Sequence, residues 1–328
     1  MNISYIKGND KYLNEMVDIW NEEYGDNHFL KPVTIDSYKN KLASISFFSW
    51  DNVYFAFDNK KLVGFIIYFS LPSQINNKEN GAVISQLLVR KEYRNNGIGD
   101  KLLNLSIDYF RSIGKVKVDV KYFLPCCYEW YIPETNKHDH PCAPGIRINS
   151  HEYFFFLHRG FSSFGFQDAF HADLAKYEIS NKVKEVIKKN EEDGIKIELY
   201  DSSKHYGLEE FYQKLNIYDF ESVIRSNLAL DKPYPFLVVS DKGRIVGWTG
   251  AMWNEASGRG HFDGIAILSD YRNRGLGKAL FSNLALYNKN NGAKFMTFYT
   301  GLTNYARYIY MGAGFKIVQS FCFMTKNI

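Results

Sequence analysis

Three short motifs occur twice in this chain, in the same order, and this internal duplication limits the possible folds more than any other feature. The pairs are residues 58–64 (DNKKLVG) with 241–247 (DKGRIVG), 87–99 with 265–277, and 159–161 (RGF) with 313–315 (AGF). A repeat with preserved order indicates a duplicated domain. The length of 328 residues agrees, because a single core rarely serves more than about 250 residues.

The repeats set the expected domain organisation. We expect a first domain at 1–179, a second at 195–328, and a charged linker at 180–194, although 180–194 could instead be a surface helix ending at Gly194. The first copy is longer between its second and third motifs, which places an insertion at about 122–146. Strand-like and helix-like segments alternate in both halves. This pattern predicts an α/β fold, an α+β arrangement with a mixed sheet, present twice in tandem.

Composition excludes several classes of protein. The net charge is only +4, and no run of five like charges appears, so we expect no nucleic-acid partner. The sequence has no apolar stretch of about 18 residues and no secretory leader, so we expect no membrane partner and a cytoplasmic location. Four cysteines, two of them adjacent, do not form a disulfide framework, which agrees with a reducing compartment.

The second repeated motif predicts an anion site. In both copies an apolar strand leads into Tyr-Arg-Asn-x-Gly-x-Gly and then an amphipathic helix. The first amides of a helix lack internal partners and lie at the positive end of its dipole, so this turn can bind a pyrophosphate. Glycine keeps side chains away from the phosphates. No Gly-Lys-Ser/Thr follows, and the third glycine of a dinucleotide fingerprint is absent.

Together with the Val-Gly hairpin before it and the Gly-Phe after it, this motif resembles the acyl-CoA-binding motif of the GNAT acyltransferase superfamily, over most of both halves. The resemblance implies two tandem GNAT domains, with acetyl-CoA as acyl donor, and an architecture similar to mycothiol synthase-like proteins; this likeness does not extend to the substrate. It also implies that a strand amide polarises the thioester carbonyl, near Ile267 or Leu268 in the second half and near Val89 or Arg90 in the first. The implied cofactor-binding residues of the second half are Ile267, Leu268, Arg272, Asn273, Arg274, Gly275, Leu276, Gly277, Lys278 and Asn304. Those of the first half are Val89, Arg94, Asn95, Asn96, Gly97, Ile98, Gly99 and Asp100.

The two halves differ in their candidate catalytic residues. The family's later helix carries a tyrosine that protonates the departing thiolate, and Tyr310 has its spacing. A carboxylate before the turn can deprotonate an ammonium group, and Asp263 holds that place. The first half has Ser85 and Phe156 instead, and Glu152 replaces the motif's alanine. We therefore expect Tyr310 and Asp263 to be catalytic and the first domain to be catalytically degenerate. A core aromatic and a solvated carboxylate are the alternatives.

The expected activity is N-acetyl transfer from acetyl-CoA to a primary amine on a small molecule or peptide. One alternative is a noncatalytic acyl-CoA-binding sensor. Another is a tRNA-dependent aminoacyl transferase, but such enzymes generally lose the pyrophosphate turn, which this chain has twice. We expect no metal, because the cysteines and histidines of the insertion fit no zinc-ligand spacing.

Overall fold

The structure is a computed structural model, and it describes residues 1–25 and 29–328. The chain forms two compact units. The first unit consists of Met1–Asp168 and Gln319–Ile328, and the second of Ala169–Val318. Among the described helices, none is both long and apolar enough to cross a lipid bilayer.

The first unit alternates strands with helices and includes small strands in the insertion. Its strands are β1 (Ile3–Lys7), β2 (Val53–Asp58), β3 (Lys61–Ser70), β4 (Ala82–Val89), β5 (Lys117–Val120), β6 (Trp130–Tyr131), β7 (Asp139–His140), β8 (Ile146–Arg147) and residues 162–168 of β9 (Ser162–Asp173). Its helices are α1 (Leu13–Trp20), α2 (Ile35–Ala43), α3 (Ile98–Ser112) and α4 (His151–Leu157).

The sheet of the first unit is mixed. Its strand order is β1-β2-β3-β4-β5, followed by a strand from the C-terminal end of the chain, and then β9. Only the β4–β5 pair is parallel among those whose register is known. β3 carries a nearly continuous apolar run and is buried along most of its length, because helices pack against it. Trp20, Tyr38, Phe123 and Tyr128 are buried in an aromatic core beside α1.

The second unit repeats this order of elements. Its strands are residues 169–173 of β9, β10 (Ile195–Leu199), β11 (Leu237–Asp241), β12 (Arg244–Thr249), β13 (Ile265–Ile267), β14 (Phe295–Gly301) and residues 316–318 of β15 (Lys316–Asn327). Its helices are α5 (Asn181–Glu192), α6 (Leu208–Leu215), α7 (Tyr218–Leu228), α8 (Leu276–Asn290) and α9 (Ala306–Gly312).

In the second unit, β10-β11-β12-β13 form an antiparallel sheet in which β13 is an edge strand. β14 is not part of this sheet and pairs with β9. α8 packs on β11, β12 and β13 and contributes Leu280, Phe281 and Leu284 to the core. The structure thus confirms the mixed α/β fold expected from the sequence, present twice.

The two compact units do not coincide with the domain ranges expected from sequence. Residues 324–327 of β15 pair with β5 and residues 321–322 pair with β8, so the end of the chain belongs to the first unit. Residues 169–179 belong to the second unit. The expected linker 180–194 contains α5, which packs on α8 and β10 of the second unit and buries Val183. A strand pattern shows that a segment needs partners, but it does not show which sheet provides them.

Candidate active site

Both repeated turns have the same backbone conformation. Gly97 and Gly275 are the N-cap residues of α3 and α8, with φ of 76° and 75°. Asn95 and Asn273, two residues earlier, also have positive φ, at 60° and 64°. In the described chain, no side chain caps either helix start. The first amides of both helices are therefore open to an anion, as the sequence predicted.

The turn of the second unit lines a cleft of about 860 Å³. Of the ten residues predicted there, the eight that line it are Ile267, Arg272, Asn273, Gly275, Leu276, Gly277, Lys278 and Asn304. Leu268 and Arg274 are not in the lining. Leu268 is buried, and the exposed Arg274 guanidinium donates to Asp193 at 2.9 Å. Residues of α6, α7 and α9, with the loop before α9, form the rest of the cleft.

The edge position of β13 leaves backbone groups open towards this cleft. Leu268 donates its amide to Val246 O at 2.9 Å, on the β12 side. Successive amides of a strand point to opposite sides. The Ile267 amide therefore points away from β12, to the free edge of the sheet. Of the two amides predicted to polarise a thioester, that of Ile267 is in position to do so, whereas that of Leu268 is already bonded.

Tyr310 is buried in an aromatic cluster. Its ring centroid lies 4.6 Å from that of Phe298, 4.8 Å from Phe281, 5.4 Å from Phe170 and 5.9 Å from Phe262. It is 5% exposed and is not among the residues that line the cleft. Burial raises the pKa of the phenol, and its hydroxyl makes no hydrogen bond within the described residues. The phenol is thus neutral at physiological pH and keeps its proton to donate.

Asp263 forms a hydrogen-bonded pair with a histidine that the sequence analysis missed. His261 Nε2 lies 2.5 Å from one Asp263 oxygen, and the other accepts from the Ala251 amide at 3.2 Å. His261 Nδ1 lies 3.4 Å from Glu255. Burial lowers the pKa of His261, but hydrogen bonds to the two carboxylates outweigh it and raise the pKa above its usual value. Neither Asp263 nor His261 lines the 860 Å³ cleft.

Neither Tyr310 nor Asp263 lines the 860 Å³ cleft, but both are neighbours of Phe262. Phe262 contacts the Tyr310 ring and immediately precedes Asp263 in the chain. The ring of Trp253 stacks on the ring of His261, with a centroid distance of 3.4 Å. The Tyr310 ring thus contacts the residue next to Asp263 in the chain, in the loop that leads into β13. A histidine two residues before an acidic residue was the signal available in the sequence.

The first unit has a smaller cleft, of about 510 Å³, at its own turn. The predicted residues that line it are Val89, Arg94, Asn95, Gly97, Ile98, Gly99 and Asp100. Asn96 is not in the lining; its side-chain amide donates to Arg94 O at 2.9 Å and braces the turn. β4 pairs with β5 only at Val83 and Ile84, so the two strands separate before Leu87 and open the cleft.

The clefts differ in charge. In the first, Arg94 pairs with Glu23, and Arg159 pairs with Asp100, with one contact at 2.7 Å. The Arg159 guanidinium lowers the pKa of Asp100. The lining of the second cleft has Arg272 and Lys278 but no carboxylate, and neither cation makes an ion pair in the part of the chain that the structure describes. The second cleft is thus the better site for a polyanion.

Three further ionisable residues of the first cleft were missed by the sequence analysis. Glu23, His151 and Glu152 each place one ligand atom so that the three lie within 4.8 Å of one another. The signal was present at Glu152, which stands where the family motif has alanine. The substitution was interpreted only as a loss of the motif. Residues 21–25 form a π-helical turn that positions Glu23, and this turn could not be located from the sequence.

Three solved structures resemble almost the whole length of this chain. A glucosamine N-acetyltransferase region of a fungal multi-domain GH3 β-N-acetylglucosaminidase has a TM-score of 0.61 at 16% identity; the match covers 99% of this chain but only 38% of that one. A GCN5-related N-acetyltransferase from Sphaerobacter thermophilus has a TM-score of 0.57 at 12% identity, covering 99% and 95%. A tandem GNAT protein from the clavulanic acid biosynthesis pathway has a TM-score of 0.53 at 13% identity, covering 99% and 98%. At these identities the likeness establishes the fold.

Sequence comparison adds the family. No curated protein matches the chain significantly. The family model for the acetyltransferase (GNAT) family matches residues 13–122 and 197–315, one segment in each repeat. These segments include both Gly-x-Gly turns and their following helices. The chain therefore belongs to the GNAT acetyltransferase family, as a tandem acyltransferase with two GNAT domains.

Proposed function

We propose that this protein is an N-acetyltransferase that moves an acetyl group from acetyl-CoA to a primary amine, and that the reaction takes place in the second unit. The observation that carries this proposal is the second cleft. It combines an uncapped helix start at Gly275 with two cations, Arg272 and Lys278, and no lining carboxylate. Acyl-CoA carries a pyrophosphate and an extended pantetheine arm. The turn binds the pyrophosphate, and the open edge of β13 pairs with the arm.

The acyl-transfer step requires a polarised carbonyl, a base and an acid. The Ile267 amide donates to the thioester oxygen and stabilises the charge that develops there. Asp263 takes a proton from the acceptor ammonium, directly or through water, because an ammonium nitrogen has no lone pair for attack. The amine nitrogen then bonds to the carbonyl carbon and loses its second proton to solvent, and the carbon–sulfur bond breaks. Tyr310 gives its proton to the departing thiolate and regains one from solvent; its hydroxyl supports this role because it makes no other hydrogen bond within the described residues.

The first unit has a different role in this scheme. Ser85 and Phe156 stand at its base and acid positions, and both are buried. This observation supports ligand binding without acyl transfer. The binding of acyl-CoA by Val89 and Arg94–Asp100 of the first unit is still a prediction.

A charge reversal at Arg272 tests the acetyl-CoA site. Arg272→Glu places a carboxylate beside the phosphates, whereas Lys232→Glu makes the same charge change at an exposed residue outside the cleft. A charged hydrogen bond is worth about 1.5–3 kcal/mol, so we expect acetyl-CoA affinity to fall about 10-fold or more only in Arg272→Glu. Isothermal titration calorimetry measures it. If the two variants bind acetyl-CoA with equal affinity, the second cleft is not the site of the acyl donor.

The transfer reaction itself is tested with a panel of primary amines. CoA release is followed with a thiol reagent, and the acetylated product is identified by mass spectrometry. We expect an amine-dependent rate and a product heavier by one acetyl group. A protein that binds acetyl-CoA but acetylates no amine of the panel would support the sensor function instead.

A further inference from the structure

The cluster of Glu23, His151 and Glu152 in the first cleft has no role in the acyl-transfer scheme. His151 lies between the two carboxylates. Its Nε2 is 3.3 Å from Glu23 Oε1, and its Nδ1 is 3.5 Å from Glu152 Oε2. All three residues line the cleft, so the cluster is accessible from solvent through it.

The Glu152 carboxylate has an unsatisfied oxygen. Glu152 is 9% exposed, and its Oε2 makes no hydrogen bond within the described residues. A buried polar atom without a partner costs about 1–3 kcal/mol, and more if it is charged. Such an atom in a native structure calls for an explanation. A cation bound from the cleft would supply the missing partner.

The rest of the cluster is arranged as in a metal site. Arg94 binds Glu23 through Oε2, which fixes the carboxylate and turns Oε1 towards His151. Outer partners of this kind orient metal ligands. Glu152 and His151 are the first two residues of α4, whose N-cap Ser150 accepts from the Tyr153 amide at 3.2 Å. The helix thus holds both residues at the cleft.

The electrostatic environment favours a positive ligand. The buried side chains of Tyr24 and Tyr122 line the same cleft and offer it no cationic group. Two carboxylates of the cluster supply two negative charges, and Arg94 contacts only Glu23 among them. A divalent cation would balance the pair.

The distances favour a metal ion over an organic ammonium. Zinc binds imidazole and carboxylate at about 2.0–2.2 Å, so tetrahedral ligand atoms lie roughly 3.3–3.6 Å apart. Acceptors around an ammonium, at hydrogen-bond distances of about 2.8 Å, lie roughly 4.6 Å apart. A metal ion binds one nitrogen of an imidazole, so only one of the two His151 contacts can be a distance between its ligands; the 3.3 Å from Nε2 to Glu23 Oε1 agrees with the shorter spacing. One ligand atom from each of the three residues lies within 4.8 Å of the others, and the half-exposed His151 ring can turn one nitrogen to the ion.

We propose that Glu23, His151 and Glu152 bind one divalent cation of the zinc class in the first cleft. One imidazole and two carboxylates provide three ligands, and the cleft leaves the fourth position to water or to a bound ligand. Mg²⁺ fits less well, because it prefers oxygen ligands in octahedral geometry. The expectation of no metal rested on the cysteines and histidines of the insertion, and the proposed site lies outside that insertion. It is independent of the acyl-transfer proposal.

Titration of the full-length, chelator-treated protein with ZnCl₂ alone tests the site. Glu152→Gln and His151→Ala each remove one ligand, and His158→Ala removes a histidine of the same cleft that lies outside the cluster. We expect the wild type and His158→Ala to bind Zn²⁺ alike, and Mg²⁺ at least 10-fold more weakly. Glu152→Gln and His151→Ala should bind Zn²⁺ at least 10-fold more weakly than the wild type.

A further variant separates this site from the thiols of the insertion. Cys127 and Cys142 lie close together, with their Sγ atoms 2.6 Å apart, and thiolates also bind zinc. Cys142→Ser should keep the Zn²⁺ site that Glu152→Gln loses. If Cys142→Ser loses Zn²⁺ and Glu152→Gln keeps it, the proposal is overturned.

Thermal unfolding provides a readout that does not depend on calorimetry. Zn²⁺ binds the folded state, so it should raise the Tm of the wild type and not that of Glu152→Gln. Without metal, Glu152→Gln should be at least as stable as the wild type, because it removes a buried charge that lacks a hydrogen-bond partner at Oε2. A wild type that binds no Zn²⁺, or a Glu152→Gln variant that binds it with unchanged affinity, rules the site out.

Discussion

At the scale of single residues, the ionisation of Tyr310 and His261 depends on the side chains around them. Tyr310 sits among four phenylalanine rings, which keep the phenol protonated. His261 sits between Asp263 and Glu255, which favour its charged form. The rings around Tyr310 come from several elements, whereas the carboxylates beside His261 are two and six residues away in the chain. In neither case does the residue type alone give the ionisation of the group.

Replacing Tyr310 by phenylalanine tests its proposed chemistry without changing the packing. Tyr310→Phe keeps the ring in its aromatic cluster and deletes only the hydroxyl. General acid catalysis is worth about 10²- to 10⁴-fold, so we expect kcat to fall by that range with little change in Tm. Tyr206→Phe, at an exposed tyrosine of the same unit that lies outside the cleft, is the control, and we expect it to leave kcat unchanged. A kcat for Tyr310→Phe within about twofold of the wild type, with chemistry rate-limiting, would leave Tyr310 a core aromatic.

The His261 pair gives a pH dependence of stability. The pKa of His261 is raised in the folded protein, above the value of about 6.5 expected for the unfolded chain. The protonated imidazole therefore stabilises the fold fully below pH 6.5, and this stabilisation is lost as pH rises through the folded pKa. We expect the Tm difference between wild type and His261→Asn to be largest near pH 6 and to shrink towards pH 8.5.

Thermal unfolding at several pH values measures this difference. His158→Gln, a change at an exposed histidine, corrects for the general pH response of the protein. A constant difference between wild type and His261→Asn across the range would mean that the histidine does not titrate against Asp263 and Glu255.

At the scale of elements, the strand–turn–helix unit was the best-predicted part of the chain. Its turn needs left-handed backbone at two positions. In each copy an asparagine occupies the first position and a glycine the second. The helix then starts without a side-chain cap in the described residues. The conformation of the turn follows from residues close together in the chain, so the sequence was sufficient to predict it. That the turn binds a phosphate is still a prediction.

The two turn glycines differ in what surrounds them, and this predicts unequal costs of substitution. A Cβ at Gly97 meets no atom within 4 Å, whereas one at Gly275 lies 2.8 Å from Val186 of α5. Left-handed alanine costs about 1–2 kcal/mol at either position. Overpacking against Val186 adds roughly 1–3 kcal/mol at Gly275. Urea unfolding followed by circular dichroism should show the larger loss for Gly275→Ala; an equal or larger loss for Gly97→Ala would contradict this.

At the scale of the whole molecule, the end of the chain completes the first unit. Residues 324–327 of β15 pair with 117–120 of β5, and Phe321 and Met324 are fully buried. Residues 169–173 at the end of β9 belong to the second unit. The first unit is therefore built from two parts of the chain that are distant in sequence, whereas the second unit is continuous and begins before the expected boundary. A cut at residue 180 would not yield a complete first unit.

Shortening the chain to residues 1–318 tests this organisation. The cut removes the β15 segment beside β5 with the buried side chains of Phe321, Cys322 and Met324, of which the two largest are together worth roughly 5–10 kcal/mol. The stability of a domain is only about 5–15 kcal/mol. We expect the amides of β4 and β5 to lose most of their protection in hydrogen exchange, while those of β11 and β12 keep theirs. Unchanged protection of β5 in the shortened chain would show that the β15 segment is dispensable.

The sequence by itself determined the duplication, the α/β class, the two Gly-x-Gly turns and the family, because each is recognised from motifs of residues close together in the chain. It also proposed two catalytic residues, Asp263 from its spacing to the second turn and Tyr310 from its spacing to Gly314 and Phe315. Tertiary structure alone decided that β15 joins the first unit, that residues 181–192 form a packed helix, and that Glu23 meets His151 and Glu152. These contacts join segments far apart in sequence, and a strand or carboxylate carries no local mark of the partner that burial and pairing bring to it.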